Sequence, residues 1–178
     1  MPVAPPISCT RLKESHFGHF LMFIVAMGTC KLFKLSLKFI NMSRYYIDAC
    51  IWRDYFENRS DNLRPLGEWA FRLIKKIISE NGLIICSSLI LKELGKEYSE
   101  KQIMNILSIV PCSLLIDIKI SASQFKEAKS LSIQLRTPLK DTIHAIMARD
   151  NNAVMVTRDK HFIELNKIAA VRKPEDLI

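Results

Sequence analysis

Asp48, Glu93, Asp141 and Asp159 are the residues with which this chain could do chemistry. Each stands at the end or the opening of an element that the sequence predicts. Asp48 closes the apolar run Tyr45-Tyr46-Ile47, and Asp159 follows Ala153-Val154-Met155-Val156-Thr157. Glu93 lies inside an apolar helical stretch, and Asp141 comes just after a Thr137-Pro138 helix start. Brought together in an α/β fold, the four would line a pocket with carboxylates. Such a pocket takes a hard divalent cation, and a hard cation beside a phosphate is hydrolytic chemistry.

Each acid also has an ordinary role to be weighed against. Asp48 sits in so apolar a setting that its charge needs a partner; the alternative is a cap for the helix that follows. Glu93 falls at the flank of the Leu89/Ile90 stripe. Glu97 lies one turn on, and two acids at i and i+4 repel unless a cation is near. Asp141 suits a helix N-terminus through the dipole. On a helical wheel it shares a small-residue face with His144, Ala145 and Ala148, opposite Leu139, Ile143, Ile146 and Met147. Asp159 could be a turn residue before His161-Phe162. Thr157 either orients a carboxylate or simply ends its strand. His144 and His161 could be ligands or bases, and a surface or capping role suits His161, two residues beyond Asp159, better. Ser87 and Ser88 have no His/Asp relay, so a serine nucleophile is not indicated. No Gly-rich phosphate loop occurs.

The elements that must position these side chains alternate. Strands are predicted at 45–50, 83–86, 113–118 and 153–157, with a weak fifth at 169–172. Helices are predicted at 66–80, 88–98, 100–108, from Ser121 or Ser123 to 135, from Thr137 (N-cap) and Pro138 (N1) to about 150, and at 161–166. Asn81-Gly82 stops the first of these helices, and Ser99 with Gln102 opens another in near-capping-box form. Strands separated by helices give a parallel sheet covered on both faces, and ligands then bind at the carboxyl ends of the strands.

Length and charge fit this plan. The 178 residues are 49% hydrophobic, which suits one α/β domain, and the formal net charge is +8. Excess basic charge favours a polyanionic partner, most simply nucleic acid; an acidic protein is the alternative, and charge alone does not decide between them. From Ser43 onward there are 21 basic and 17 acidic residues, a net of 21 − 17 = +4; residues 1–42 carry the other +4. The five cysteines (Cys9, Cys30, Cys50, Cys86, Cys112) form no CxxC pair, which argues against zinc and for a reduced, cytoplasmic protein.

The first 42 residues differ from the rest. Residues 17–30 are nearly all apolar, too short for a membrane span of about 20 residues. They resemble a signal-peptide core behind Arg11 and Lys13, but prolines precede them and no clean cleavage site follows. Met42-Ser43-Arg44 leads directly into the first strand. The expectation is therefore that 1–42 is an upstream extension, a misassigned start or a poorly ordered appendage, and that 43–178 is the domain.

Four pieces of sequence carry a resemblance. Tyr46-Ile47-Asp48-Ala49, the stretch 88–94 with Glu93, Leu139-Lys140-Asp141-Thr142-Ile143-His144-Ala145, and Val156-Thr157-Arg158-Asp159-Lys160-His161-Phe162 follow one another as in a PIN domain. The VapC type of toxin nuclease is the nearest likeness. The resemblance covers 43–178. It implies a three-layer α/β/α sandwich with a central parallel sheet and Mg²⁺- or Mn²⁺-dependent cleavage of RNA, leaving a 5′-phosphate and a 3′-hydroxyl. Asp48, Glu93, Asp141 and Asp159 would be the acidic quartet and the metal ligands, with Thr157 in support. Arg53, Lys140, Arg158 and Lys160 would be RNA contacts. An antitoxin protein and a homodimer are the implied partners. One departure stands out: where many relatives carry a further acid, this chain has His161.

Overall fold

A computed structural model describes residues 42–178, so the expectation for the N-terminal extension falls outside the described residues. The first strand, β1 (Arg44–Ile47), is followed by helices α1 (Ala49–Glu57) and α2 (Leu66–Ser79). Strand β2 (Leu83–Ser87) leads into α3 (Ser88–Leu94) and α4 (Glu100–Leu107). Strand β3 (Leu115–Ile118) precedes α5 (Ala122–Leu135) and α6 (Leu139–Asp150). The chain ends with β4 (Val154–Val156), α7 (Phe162–Leu165), β5 (Val171–Arg172) and a short 3₁₀ turn at Pro174–Asp176.

The strands form one parallel sheet in the order β3-β2-β1-β4-β5. From β1 the chain steps outward to β2 and β3. It then crosses back over the sheet to place β4 on the other side of β1. Right-handed crossovers put the helices of the outward steps on one face and α5 and α6 on the other. The topological switch point is therefore between β1 and β4, where Tyr46 pairs with Met155 and Ile47 with Val156. Ligands of doubly wound sheets sit outside the carboxyl ends of the strands at that point.

The elements form for local reasons. All five residues of β2 are buried, as in a strand covered on both faces. In α2 the residues Gly67, Ala70, Leu73, Ile74 and Ile77 recur at helical spacing and are buried. Ser87 caps α3 by accepting from the Ile90 amide at 3.2 Å. Ser99 with Gln102 and Ser121 with Gln124 close full capping boxes on α4 and α5. In α6 every residue from Thr142 to Ala148 is buried, so that helix forms part of the core.

Several boundaries depart from expectation. β1 stops at Ile47, and Ala49–Glu57 is a helix because Ile51 and Trp52 turn inward at helical spacing. The helix after β2 ends at Leu94, before Gly95. Pro111 imposes a 3₁₀ turn at Cys112–Leu114, which delays β3 to Leu115. Pro138 occupies the N-cap position of α6 rather than its first turn, and the Thr137 hydroxyl lies 2.9 Å from that of Thr142.

Candidate metal centre at the carboxyl edge of the sheet

Asp48 follows β1 directly and is 8% exposed. Its backbone is extended, and its side chain makes no cap hydrogen bond to α1. The ladder continues through it, since its amide donates to the Val156 carbonyl at 3.0 Å. The carboxylate turns instead toward β4. Thr157 donates its hydroxyl to Asp48 Oδ2 at 2.6 Å, and the Cys50 thiol donates to the same oxygen at 3.1 Å. Burial, and then the charge of Asp48, push the Cys50 thiol well up, which keeps it a donor. Thr157 Oγ1 in turn accepts the Asp159 amide at 3.1 Å. One hydroxyl thereby ties the two strand-end aspartates together.

Asp159 and Asp141 face each other across His161. The His161 amide donates to Asp159 Oδ1 at 2.9 Å, and its Nδ1 lies 3.2 Å from that oxygen and 3.6 Å from Asp141 Oδ2. One ligand atom from each of Asp141, Asp159 and His161 falls within 4.8 Å of the others. Asp141 is raised above the usual carboxyl range by burial, then by the charge of Asp159 and, more weakly, of Asp48; His144 and His161 oppose the rise. Asp141 and Asp159 thus draw together at the carboxyl edge of the sheet, and the charge of Asp48 reaches Asp141 from the end of β1.

Glu93 reaches this edge differently. Its carboxylate pairs with Lys140, and His144 Nε2 lies 2.9 Å from its Oε1. Burial raises its pKa, but the hydrogen bonds and charges of His144 and Lys140 outweigh that and hold it low. Behind it, Tyr46 Oη is 2.7 Å from His144 Nδ1 and 2.6 Å from Ser87 Oγ. A carboxylate only accepts, so Nε2 must donate to Glu93. The other ring nitrogen meets the Tyr46 hydroxyl, which in turn meets the Ser87 hydroxyl. His144 is 1% exposed, whereas His161 lies at the surface. His144 locks Glu93 against α6.

The basic candidates are mostly engaged. Arg53 pairs with Glu97 at 2.8 Å, and Lys140 with Glu93. Arg158 is drawn inward: it donates to Asp54 at 2.9 Å and to Glu175 at 2.6 Å, and it lies over the Trp69 ring. Its remaining Nη2 is buried. Lys160 is exposed beside Asp159. Sequence reading missed Tyr46 and Cys50 as parts of the site. A phenol inside an apolar strand-like run was the available signal, because a buried hydroxyl needs a partner.

The arrangement is similar to solved structures. VapBC2 from Rickettsia felis, bound to a DNA fragment from its promoter, matches with a TM-score of 0.55 at 20% identity over 73% of this chain and 98% of that one. FitAcB from Neisseria gonorrhoeae gives 0.51 at 15%, over 75% and 99%. A toxin–antitoxin complex from Klebsiella pneumoniae gives 0.50 at 21%, over 73% and 97%. No protein-family model and no curated protein matches the sequence. The fold, a parallel sheet between layers of helices, is shared with these structures.

Proposed function

We propose that this chain is a Mg²⁺- or Mn²⁺-dependent endoribonuclease that acts as the toxin of a toxin–antitoxin pair. The observation that carries this reading is the close approach of Asp141 and Asp159 beside Asp48, whose carboxylate is tied through the Thr157 hydroxyl to the Asp159 backbone. The likeness to VapBC2 and to the Klebsiella toxin–antitoxin complex supports the toxin role.

The residues present fit a hard cation. The donors are carboxylate oxygens, which suit Mg²⁺ and Mn²⁺, and the raised Asp141 marks negative charge in want of a counter-ion. Asp48, Asp141 and Asp159 would hold the ion. Such an ion supplies polarisation of the phosphoryl oxygen and a lowered pKa for water. Thr157 fixes the Asp48 carboxylate and the Asp159 backbone so that neither must reorganise. Glu93, held by His144 and Lys140, would orient the attacking water. In-line attack leaves a 5′-phosphate and a 3′-hydroxyl. A homodimer and an antitoxin that covers the acidic edge complete the proposal.

One observation favours a second reading, a PIN-like module that binds RNA or protein without cutting. His161, in place of a further acid, sets an imidazole between Asp141 and Asp159. The test is incubation of the full chain with a mixed RNA pool in Mg²⁺, Mn²⁺ or EDTA, beside Asp48→Asn. Metal-dependent cleavage that disappears in the variant is the expected result. Binding without cleavage by a folded, metal-loaded sample would favour the second reading. Growth arrest on expression separates a toxin from a housekeeping RNA-processing nuclease.

A further inference from the structure

Beside the carboxylates a groove of about 590 Å³ opens between the loop at residues 61–64 and the ends of β4 and β5, with Thr157 and Asp159 in its lining. Its charges are unevenly used. Asp61 pairs with Arg64, and Glu175 with Arg158. Asp176 accepts the Lys173 amide at 3.0 Å. Every acid lining the groove thus has a partner, Asp159 through His161. Lys160, Arg172 and Lys173 also line it, all exposed and none in an ion pair among the described residues.

We infer that Lys160, Arg172 and Lys173 form a phosphate-binding track that carries single-stranded RNA to Asp159. The inference rests on the nuclease reading for its direction, since the track leads to the carboxylates. Three cations without carboxylate partners, Lys160 in the turn beyond β4 and Arg172 and Lys173 at the end of β5, present spaced positive charge to a polyanion. The groove lies within the volume range of built ligand sites, roughly 300–1,000 Å³. Arg53, Lys140 and Arg158 already pair with the protein's own acids, so of the four basic residues the sequence singled out, Lys160 alone has no ion pair among the described residues. Arg172 is held for the role by β5, where its carbonyl accepts the Thr157 amide at 3.1 Å. RNA is favoured over an acidic peptide because the track runs into the carboxylate trio, which repels carboxylates but takes a cation that binds phosphate.

The test is binding of a fluorescein-labelled single-stranded RNA to the full chain in EDTA, followed by anisotropy across a salt series. The triple variant Lys160→Gln/Arg172→Gln/Lys173→Gln is set against Lys75→Gln/Lys101→Gln/Lys126→Gln, which removes the same charge elsewhere. The groove variant should bind about tenfold more weakly. Its salt slope should fall by about two, because each phosphate neutralised on a single strand contributes roughly 0.7 to that slope. The control variant should change far less, and Lys160→Arg/Arg172→Lys/Lys173→Arg should restore binding. Equal losses in both glutamine variants, no RNA binding by the parent chain, or preference for poly-glutamate over RNA would overturn the inference. The two readings fail separately. Groove-dependent binding without cleavage in Mg²⁺ or Mn²⁺ sinks the nuclease and keeps the track. Cleavage with an unchanged KM in the groove variant sinks the track and keeps the nuclease.

Discussion

Thr157 shows how much of the site rests on one hydroxyl. It donates to Asp48 and accepts the Asp159 amide, so its loss frees both ends of the carboxylate cluster. Thr157→Val should lower activity and Mn²⁺ affinity by about 10–100-fold, as for other groups that orient metal ligands. Thr157→Ser should recover most of it, as read by cleavage kinetics and metal titration. Asp141 gives a second prediction. Its raised carboxyl means that protonation favours the folded state, so the associated stability is present in acid and is lost as pH rises through the folded pKa. Asp141→Asn should therefore stabilise the metal-free protein at pH 7 by about 1 kcal/mol, a Tm gain of roughly 3–4 °C. The gain should vanish below about pH 4, where the unfolded carboxyl is also protonated; thermal melts across that range check it. The aspartates at strand ends were legible because strand ends are where an α/β sheet places its ligands. The grip of His144 and Lys140 on Glu93 was not. It joins two helices some fifty residues apart, and no local pattern encodes that meeting.

Among the elements, Arg158 fastens the end of β4 to α1 through Asp54, to the C-terminal turn through Glu175 and to α2 through Trp69. The sequence presented it as one more exposed cation, because its partners lie far away along the chain. Asp54 is 2% exposed, and burial raises its pKa against the lowering effect of Arg158, Arg59 and Arg53. Arg158→Met leaves that carboxylate with Arg59 and should destabilise the fold by about 3 kcal/mol at pH 7. The sign of the pH effect follows. Asp54 in the variant has a still higher pKa, so its protonation on acidification restores part of the loss, and the deficit against the parent should shrink toward pH 4. Denaturant unfolding at several pH values measures this. Asp54→Leu/Arg158→Met should lie nearer the parent than Arg158→Met alone. A second junction is Gly67, where an added Cβ would lie 2.6 Å from the Asn58 Cα and 2.7 Å from the Asp54 carbonyl oxygen. Gly67→Ala should cost about 1–3 kcal/mol by forcing α1 and α2 apart. The order of elements was readable because hydrophobic period and turn residues change together. The strand-to-helix change at Asp48 was not, because Ala49-Cys50-Ile51-Trp52 suits either element when read locally.

For the whole molecule, topology explains why distant acids meet. The outward run β1-β2-β3 and the return to β4 open a crevice beside β1, and the residues that follow β1 and β4 are Asp48 and Thr157. The net charge of +4 from Ser43 onward is the balance of paired surface charges, an acidic cluster at the crevice and basic residues beside it. Composition indicated the sign of the partner and not its path, since ion pairing in the folded chain decides which cations remain for a ligand. Among the described residues no helix is long and apolar enough to cross a membrane. The nuclease reading turns on whether Asp48, Asp141 and Asp159 bind a divalent ion as one site. Titration of Mn²⁺ into the full chain, followed by electron paramagnetic resonance, measures this directly beside Asp141→Asn and Asp159→Asn. A shared site requires saturable Mn²⁺ binding by the parent chain, displaced by Mg²⁺ and weakened at least tenfold in both variants while each stays folded. Mn²⁺ binding that is absent from the parent, or equal in all three proteins, would contradict it.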